Sequence, residues 1–347
     1  MITNDRKWRM PATYLKVVLQ EARAANLPIE PLLAGTDLTQ DSLLRSDDPV
    51  AFATTLQVLA NAECVLGPGW HLLLGSRLTV SSHGPLGFAV VTAPNMRASV
   101  NVLLRFIGTR APFLWSAAAV EGDQFVLRFH ETVDMGDQRA TLMELAALSL
   151  QGLMERPLGR EITGAKLAFS YAAPPYREAV EQAFHAQVSF SADQHSLRFP
   201  AGWLDEPCAL FDEAMHGYLV NRCEEELLAS AGTLPAEIAV RQALLERPGV
   251  FPGLADIAAS QHICPRTLIR RLKRGNTSYQ GILDDVRKTL SRDFLLNSTM
   301  SIGRISWRLG YRDPSNFSRA FGKWYGMSPQ QYRGQLAEKQ ELGVGVS

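Results

Sequence analysis

Ser315, Asn316, Ser318 and Arg319 lie within a five-residue stretch and bring together the side-chain types that read nucleobase edges. Arginine can donate twice to guanine, the asparagine amide matches adenine, and serine suits either. A second cluster, Arg266, Thr267, Ile269, Arg270 and Lys273, is richer in cations, and Arg312 adds one beside the first cluster. Cations at this density suit phosphate oxygens, an attraction that ignores base sequence and weakens with salt. Ile269 carries no polar group, so its chemistry at a base edge is apolar contact with a thymine methyl.

Each cluster needs a helix to present it on one face. Ile302, Ile305 and Leu309 recur at the spacing of a buried helical stripe. Gly310 follows, where a left-handed C-terminal turn favours glycine. Asp313-Pro314 then opens a second helix, because aspartate caps free amides and proline loses no hydrogen bond at the first helical position. Phe317, Phe321 and Trp324 are expected to point inward, leaving the first cluster outward. Ser328-Pro329 starts a further helix by the same logic, with Tyr332 packing back onto the unit. Upstream, Leu254, Ile257 and Ala258 form another stripe, Ile263 sits in a turn, and Cys264-Pro265 opens a helix with Leu268 and Leu272 inside. Cysteine is a weaker cap than serine, which predicts a looser helix start there. The chain thus carries helix-turn-helix patterns at residues 254–275 and 301–333.

Between them, residues 278–296 read as one helix, with Ile282, Leu283, Val286, Leu290, Phe294 and Leu295 on its buried side. At 1.5 Å rise its length is roughly 28 Å. With the flanking bodies added, the two outward helices are expected about 34 Å apart, one turn of B-DNA. Charge agrees: residues 237–333 hold 16 Lys/Arg against 7 Asp/Glu, whereas residues 1–235 hold 18 against 26. The zero net charge of the 347-residue chain therefore conceals a basic module joined to an acidic one.

The segments IAASQHICPRTLIRRL (257–272), DDVRKTLSRDFLL (284–296) and ISWRLGYRDPSNFSRAFGKWYGMSPQQYR (305–333) resemble the AraC/XylS family of bacterial transcription regulators. The resemblance implies base contacts at Arg266, Ile269 and Arg270 in the first recognition helix, and at Ser315, Asn316 and Arg319 in the second. This chain departs from the pattern at Cys264, where serine is usual, and at Ile269, where a polar residue is usual. More sequence selectivity is therefore expected from residues 315–319, and more phosphate grip from the first helix.

The length allows about two domains. Residues 209–229 read as a helix whose Phe211, Met215, Leu219, Cys223 and Leu227 recur every fourth position, either as core or as an interface with a second copy. The expected division is a sensing and dimerisation domain at 1–229, a linker at 230–236, the DNA-binding domain at 237–333 and a tail at 334–347. Within the first part, helices are expected at 14–25, 49–66, 92–108 and 138–155, and strands at 125–130, 166–171, 187–190 and 196–199. Helices first and strands later give an α+β domain, followed by an all-α domain of two helix-turn-helix units joined by a linker helix. The stretches LPIEPLLAGTDLT (27–39), SSHGPLGFAVVTAPNMRASVNVLLRF (81–106) and FSYAAPPY (169–176), with the run at 188–207, resemble the sensory domain labelled the arabinose-binding domain of AraC-type regulators. That label does not establish arabinose as the ligand. Tyr171 and His195 stand where similar chains often have histidine and asparagine.

Enzyme signatures are absent. SSHGPLG (81–87) lacks the spacing and lysine of a phosphate loop and is not the GxGxxG of a dinucleotide fold. The other histidines (His71, His130, His185, His195, His216, His262) are scattered, and Cys64, Cys208, Cys223 and Cys264 form no CxxC, so neither a metal nor a cofactor is expected. A small-molecule effector of unknown identity is expected in the first domain, where His83, Arg97 and Arg105 are candidate ligand residues and Arg110 is a further cation near aromatic residues. Residues 1–10 lack an apolar signal core and no apolar run is long enough to span a bilayer, so the expected compartment is the bacterial cytoplasm. The expected partners are promoter DNA, an effector and a second copy of the chain, with RNA polymerase a further candidate. The expected function is a DNA-binding regulator, an activator under effector control; the alternative is a regulator that needs no effector.

Overall fold

The computed structural model describes residues 9–231, 236–245, 249–261, 263–275, 277–297 and 300–334. The chain divides into two compact units, Met1–Leu234 and Pro235–Ser347. The expected linker straddles this division, and its residues 232–235 lie outside the described residues, as do His262 and residues 335–347 of the expected tail.

Unit 1 opens with β1 (Arg9–Met10), α1 (Ala12–Ala24), α2 (Glu30–Leu33) and α3 (Gln40–Arg45). Strand β2 (Val50–Ala51) pairs antiparallel with β1 and runs directly into α4 (Phe52–Leu66), so the expected helix at 49–66 begins as a strand. Helices α5 (Trp70–Arg77), α6 (Gly84–Val91) and α7 (Met96–Phe106) follow. The expected helix at 92–108 starts later than its pattern suggests, because the Asn95 side chain accepts the Ala98 N–H and caps α7 there.

The main sheet is built from β3 (Leu114–Glu121) and β4 (Gln124–Glu131), then, after α8 (Arg139–Leu158), from β5 (Lys166–Ala168), with α9 (Arg177–Ala183) leading to β6 (Gln187–Ser189) and β7 (His195–Pro200). Its order is β3-β4-β7-β5-β6, antiparallel except for the parallel β5–β6 pair. Register places Phe129 opposite His195, and Leu127 opposite Leu197, which in turn faces Leu167. Helix α10 (Glu213–Ala231) ends the unit and begins four residues later than the expected 209.

One acid is buried deep in this unit. Glu144 of α8 is fully enclosed, accepting a hydrogen bond from the Tyr171 hydroxyl at 2.8 Å and pairing with His71 Nε2 at 2.6 Å. A buried carboxylate requires such partners. Burial, reinforced by the Glu144 charge, pushes the Tyr171 phenol far up, so it remains a donor.

Unit 2 is helical: α11 (Ala236–Leu245), α12 (Leu254–Ser260), α13 (Pro265–Arg274), α14 (Tyr279–Asn297), α15 (Ile302–Arg308) and α16 (Pro314–Tyr325). Ile282, Leu283, Val286, Leu290 and Leu295 of α14 are buried, as are Ile257, Ala258, Leu268 and Leu272 of the first helix pair and Ile305, Leu309, Phe317 and Phe321 of the second. Among the described residues no helix is long and apolar enough to cross a membrane.

Candidate nucleic-acid interface and buried cavity

In α16 the local chemistry is fully used. Asp313 Oδ1 accepts the Ser315 N–H at 2.7 Å and Pro314 occupies the first turn. Gly310 adopts φ +71° between α15 and α16, and a Cβ there would lie 3.1 Å from the Phe251 ring, so both conformation and space favour glycine. Phe317 and Phe321 are completely buried, and Phe321 packs on Tyr325 and Tyr332 with ring centroids 4.5 and 5.5 Å away. Trp324, expected inside, is half-buried, as is Tyr325, which packs on Phe321 and donates its hydroxyl to the Lys288 carbonyl. Ser328 and Gln331 cap the next helix reciprocally.

This core leaves Arg312, Ser315, Asn316 and Arg319 exposed and Ser318 half-buried. Arg319 Nη2 donates to Asn316 Oδ1 at 2.6 Å, so the arginine and the amide stand side by side on the outward face. A guanidinium and an amide so placed can each meet a base edge.

On α13, Arg266, Ile269, Arg270 and Lys273 are exposed and Thr267 is half-buried. Cys264 occupies the cap position but makes no capping bond; its sulfur lies 3.2 Å from the Thr267 hydroxyl instead. Helix α12 is better closed, with the Gly253 N–H donating to Asp256 at 2.9 Å.

Helix α14 holds both pairs. Tyr279 at its start donates to the Pro252 carbonyl at 2.8 Å. Further along, Arg287 Nε donates to the Leu309 carbonyl at 2.9 Å, while its guanidinium lies 4.4 Å from the centre of the Tyr311 ring. Arg287 thus satisfies an otherwise free carbonyl at the end of α15, which a cation suits. No single-element pattern reveals that role.

Unit 1 contains a cavity of about 110 Å³ between its helices and the sheet. The wall is aliphatic and aromatic for most of its extent, including Leu59, Leu86, Leu103, Phe129, Leu150 and Phe169. His83 belongs to this wall, buried in a short turn before α6, and its Nδ1 lies 3.1 Å from the Tyr14 hydroxyl. Burial, aided by the Arg110 charge, lowers the His83 imidazole to about 4. Burial raises the Tyr14 phenol to about 12. Both are therefore neutral near pH 7.

Arg97 and Arg105 are not brought to this cavity. Arg97 pairs with Asp205 at 2.7 Å and Arg105 with Glu224 at 2.6 Å, both at the surface. Arg110 lines the cavity instead. The three arginines look alike in sequence; only the turn between α7 and β3 sends Arg110 inward. Tyr14 carried no signal at all, being one of several apolar-side positions on α1. Phe169, Tyr171 and His195 form a ring cluster, with Tyr171 and His195 centroids 5.7 Å apart. Among the described residues, no group of His, Cys, Asp or Glu has the makings of a metal site.

Residues 27–208 match the family model of the arabinose-binding N-terminal domain of AraC transcription regulators, and residues 257–335 match a helix-turn-helix domain. The ornithine utilization regulator of Pseudomonas aeruginosa is 29% identical over 329 residues, covering 93% of this chain and 96% of the relative. The urease operon transcriptional activator of Escherichia coli is 30% identical over 107 residues, covering 31% of this chain and 36% of the relative. The crystal structure of the transcriptional regulator CdpR from Pseudomonas aeruginosa aligns with 93% of this chain and 98% of its own at 18% identity and a TM-score of 0.45. The two sequence relatives are regulators, the second a transcriptional activator. The chain belongs to the AraC family of DNA-binding transcription regulators.

Proposed function

We propose that this regulator is an activator whose grip on promoter DNA is set by a small molecule held in the unit 1 cavity. The observation that carries the reading is the cavity itself, mostly apolar with a few polar groups gathered at Tyr14, His83 and Arg110, the composition that small-molecule sites have. Ser315, Asn316, Ser318 and Arg319 read bases from α16, and Arg312 in the turn before it adds a cation for phosphate. Arg266, Thr267, Arg270 and Lys273 grip phosphates from α13, and Ile269 meets a thymine methyl. On this reading it works in the cytoplasm with RNA polymerase, and pairing two copies would let it read two half-sites. Phe211 and Met215 are half-exposed where the chain enters α10, whereas Leu219 and Cys223 are buried, so the outer face of that segment is the place for a second copy.

Coupling between effector and DNA sites is typically ~1–3 kcal/mol, roughly 5–150-fold in affinity. DNA fragments selected by the purified full chain, then footprinted with and without a metabolite panel, test the reading. An effector-dependent footprint is expected. A strong footprint that no metabolite alters, in protein freed of bound small molecules by denaturation and refolding, would assign the chain to effector-independent regulators.

A further inference from the structure

The cavity's polar groups narrow the chemistry of what it can hold. Besides Tyr14, His83 and Arg110, its wall contains Thr55, Ser149 and His195. Thr55 donates to the Ala51 carbonyl and Ser149 to the Leu145 carbonyl. The His195 ring is engaged by Ser170 and Glu131. Thr55 and Ser149 thus have no proton left to donate, and the donors that remain, the Tyr14–His83 pair and the Arg110 guanidinium, lie at one place. No aspartate, glutamate or lysine lines the cavity, so its one fixed charge is positive.

A sugar in such a space would bury several hydroxyls without partners, and a diamino acid would bury ammonium groups with no carboxylate to meet them. Either leaves buried polar groups unpaired, which is unfavourable. An aliphatic chain ending in a carboxylate leaves nothing unmatched. Its methylenes meet the wall, and its head meets a guanidinium that presents paired donors to a carboxylate.

Arg110 is only partly committed. Its Nη2 donates to Glu226 of α10 at 2.5 Å, while its buried Nε has no hydrogen-bond partner. Gly84 makes room for it: the backbone there has φ +57°, and a Cβ would lie 2.5 Å from Arg110 Nη2. The SSHGPLG turn is thus shaped around this guanidinium. Glu226 is a carboxylate from the last helix of unit 1, two residues beyond the Glu224 that pairs with Arg105.

We propose that the cavity binds a linear aliphatic carboxylate whose head group displaces Glu226 from Arg110, releasing an ion pair that, with Arg105–Glu224, ties α10 to α7 and the turn after it. This rests on the effector reading above and adds the ligand class and the first event of the response. Glu226 acts as a built-in competitor for the ligand's site. Losing its charge should therefore tighten binding, which a purely structural ion pair would not do.

The experiment titrates the full chain calorimetrically with octanoate, and with octanol, acetate, L-arabinose and L-ornithine as comparators. Octanoate is expected to bind one per chain and at least tenfold tighter than octanol or acetate. Arg110→Gln should weaken it at least tenfold, and Glu226→Gln should tighten it severalfold. Glu226→Gln alters a partly exposed side chain, so it keeps the test available if Arg110→Gln fails to fold. Octanol binding as well as octanoate, or Glu226→Gln weakening octanoate, would overturn the proposal. So would octanoate failing to bind while arabinose or ornithine binds and shifts DNA affinity; that result would leave the effector reading standing. Octanoate bound with the expected variant responses but without effect on DNA affinity would uphold the ligand class and sink the effector reading.

Discussion

In the second helix-turn-helix, α16 starts from an aspartate that accepts a backbone N–H at 2.7 Å and packs two completely buried phenylalanines. In the first, α13 starts from a cysteine with no capping bond and packs two leucines. The outward faces differ in the same sense. The firm helix carries an asparagine and an arginine already in contact, and the looser one carries mainly cations around an exposed isoleucine. Bidentate hydrogen bonds to a base demand fixed geometry. Attraction to phosphate falls slowly with distance and tolerates slack. The cap and core of each unit thus match the precision of the chemistry proposed for it.

The sharpest way to break this comparison is to remove the aromatic core of the second unit. Phe321→Ala should cost ~3–5 kcal/mol, because the cavity left beside Phe317, Tyr325 and Tyr332 cannot collapse easily. Leu272→Ala in the first unit should cost less, about 2–3 kcal/mol at the low end of the leucine range. Hydrogen exchange during urea unfolding of the full chain, followed separately in α13 and α16, measures both. Equal losses would remove the claim that the second unit is the stiffer.

Function should divide along the same line. Arg319→Ala is expected to lose ~1–3 kcal/mol on the selected sequence and little on random DNA. Arg270→Ala should weaken both equally and lower the salt slope by about 1. Binding isotherms on the two kinds of DNA at several salt concentrations decide the matter. An Arg319→Ala loss that is uniform across sequences would make that residue another phosphate contact.

The caps give a smaller effect with a defined pH sign. The Ser315 N–H holds the Asp313 carboxyl below its usual range. Its stabilising contribution is therefore complete above the ordinary aspartate pKa of about 3.9 and fades as pH falls through the lower folded value. Asp313→Ala should reduce amide protection in the first turn of α16 at neutral pH. In the unmutated chain the same loss should appear only in strong acid, while α13, lacking a carboxylate cap, shows none. Undiminished protection in Asp313→Ala would show that Pro314 and the aromatic core suffice.

Unit 2 was far more legible in sequence than unit 1. Its helices announce themselves through local signals: α14 runs from Tyr279 to Asn297 against an expected 278–296, and the Asp313-Pro314 cap is where the types place it. The contact of Tyr325 with the Lys288 carbonyl depends on packing against α14, which no periodicity contains. In unit 1, β3 escaped notice because its sequence, LWSAAAVE, is alanine-rich and becomes a strand only by pairing along β4. Helices α5 and α6 were hidden by their glycines. The cavity was least legible, since Tyr14, His83 and Arg110 come from separate elements and meet only in the fold. His83 could be singled out because glycines and hydroxyls surround it, but Arg110 could not be told from Arg97 and Arg105.

The smallest effect belongs to the weak cap, and it tests whether capping is the origin of the difference between the two helices. Cys264 is exposed, its sulfur lies 3.2 Å from the Thr267 hydroxyl, and it makes no capping hydrogen bond. In Cys264→Ser the hydroxyl should accept an amide of the first turn. Protection at 265–268 should then rise, by less than Asp313→Ala lowers it in α16, because the leucine core of α13 is unchanged. The Thr267 hydroxyl, aided by the first-turn backbone amides, lowers the Cys264 thiol below its usual range. A thiolate at a helix start is itself stabilising. Its contribution grows as pH rises through that lowered value and is complete above the ordinary thiol pKa of about 8.5. The advantage of serine should accordingly be largest near pH 7 and shrink toward pH 9. An advantage constant across that range would show that the thiolate does not cap. No advantage at pH 7 would mean that α13 is loose because of its smaller core, and the cap comparison would have to be abandoned.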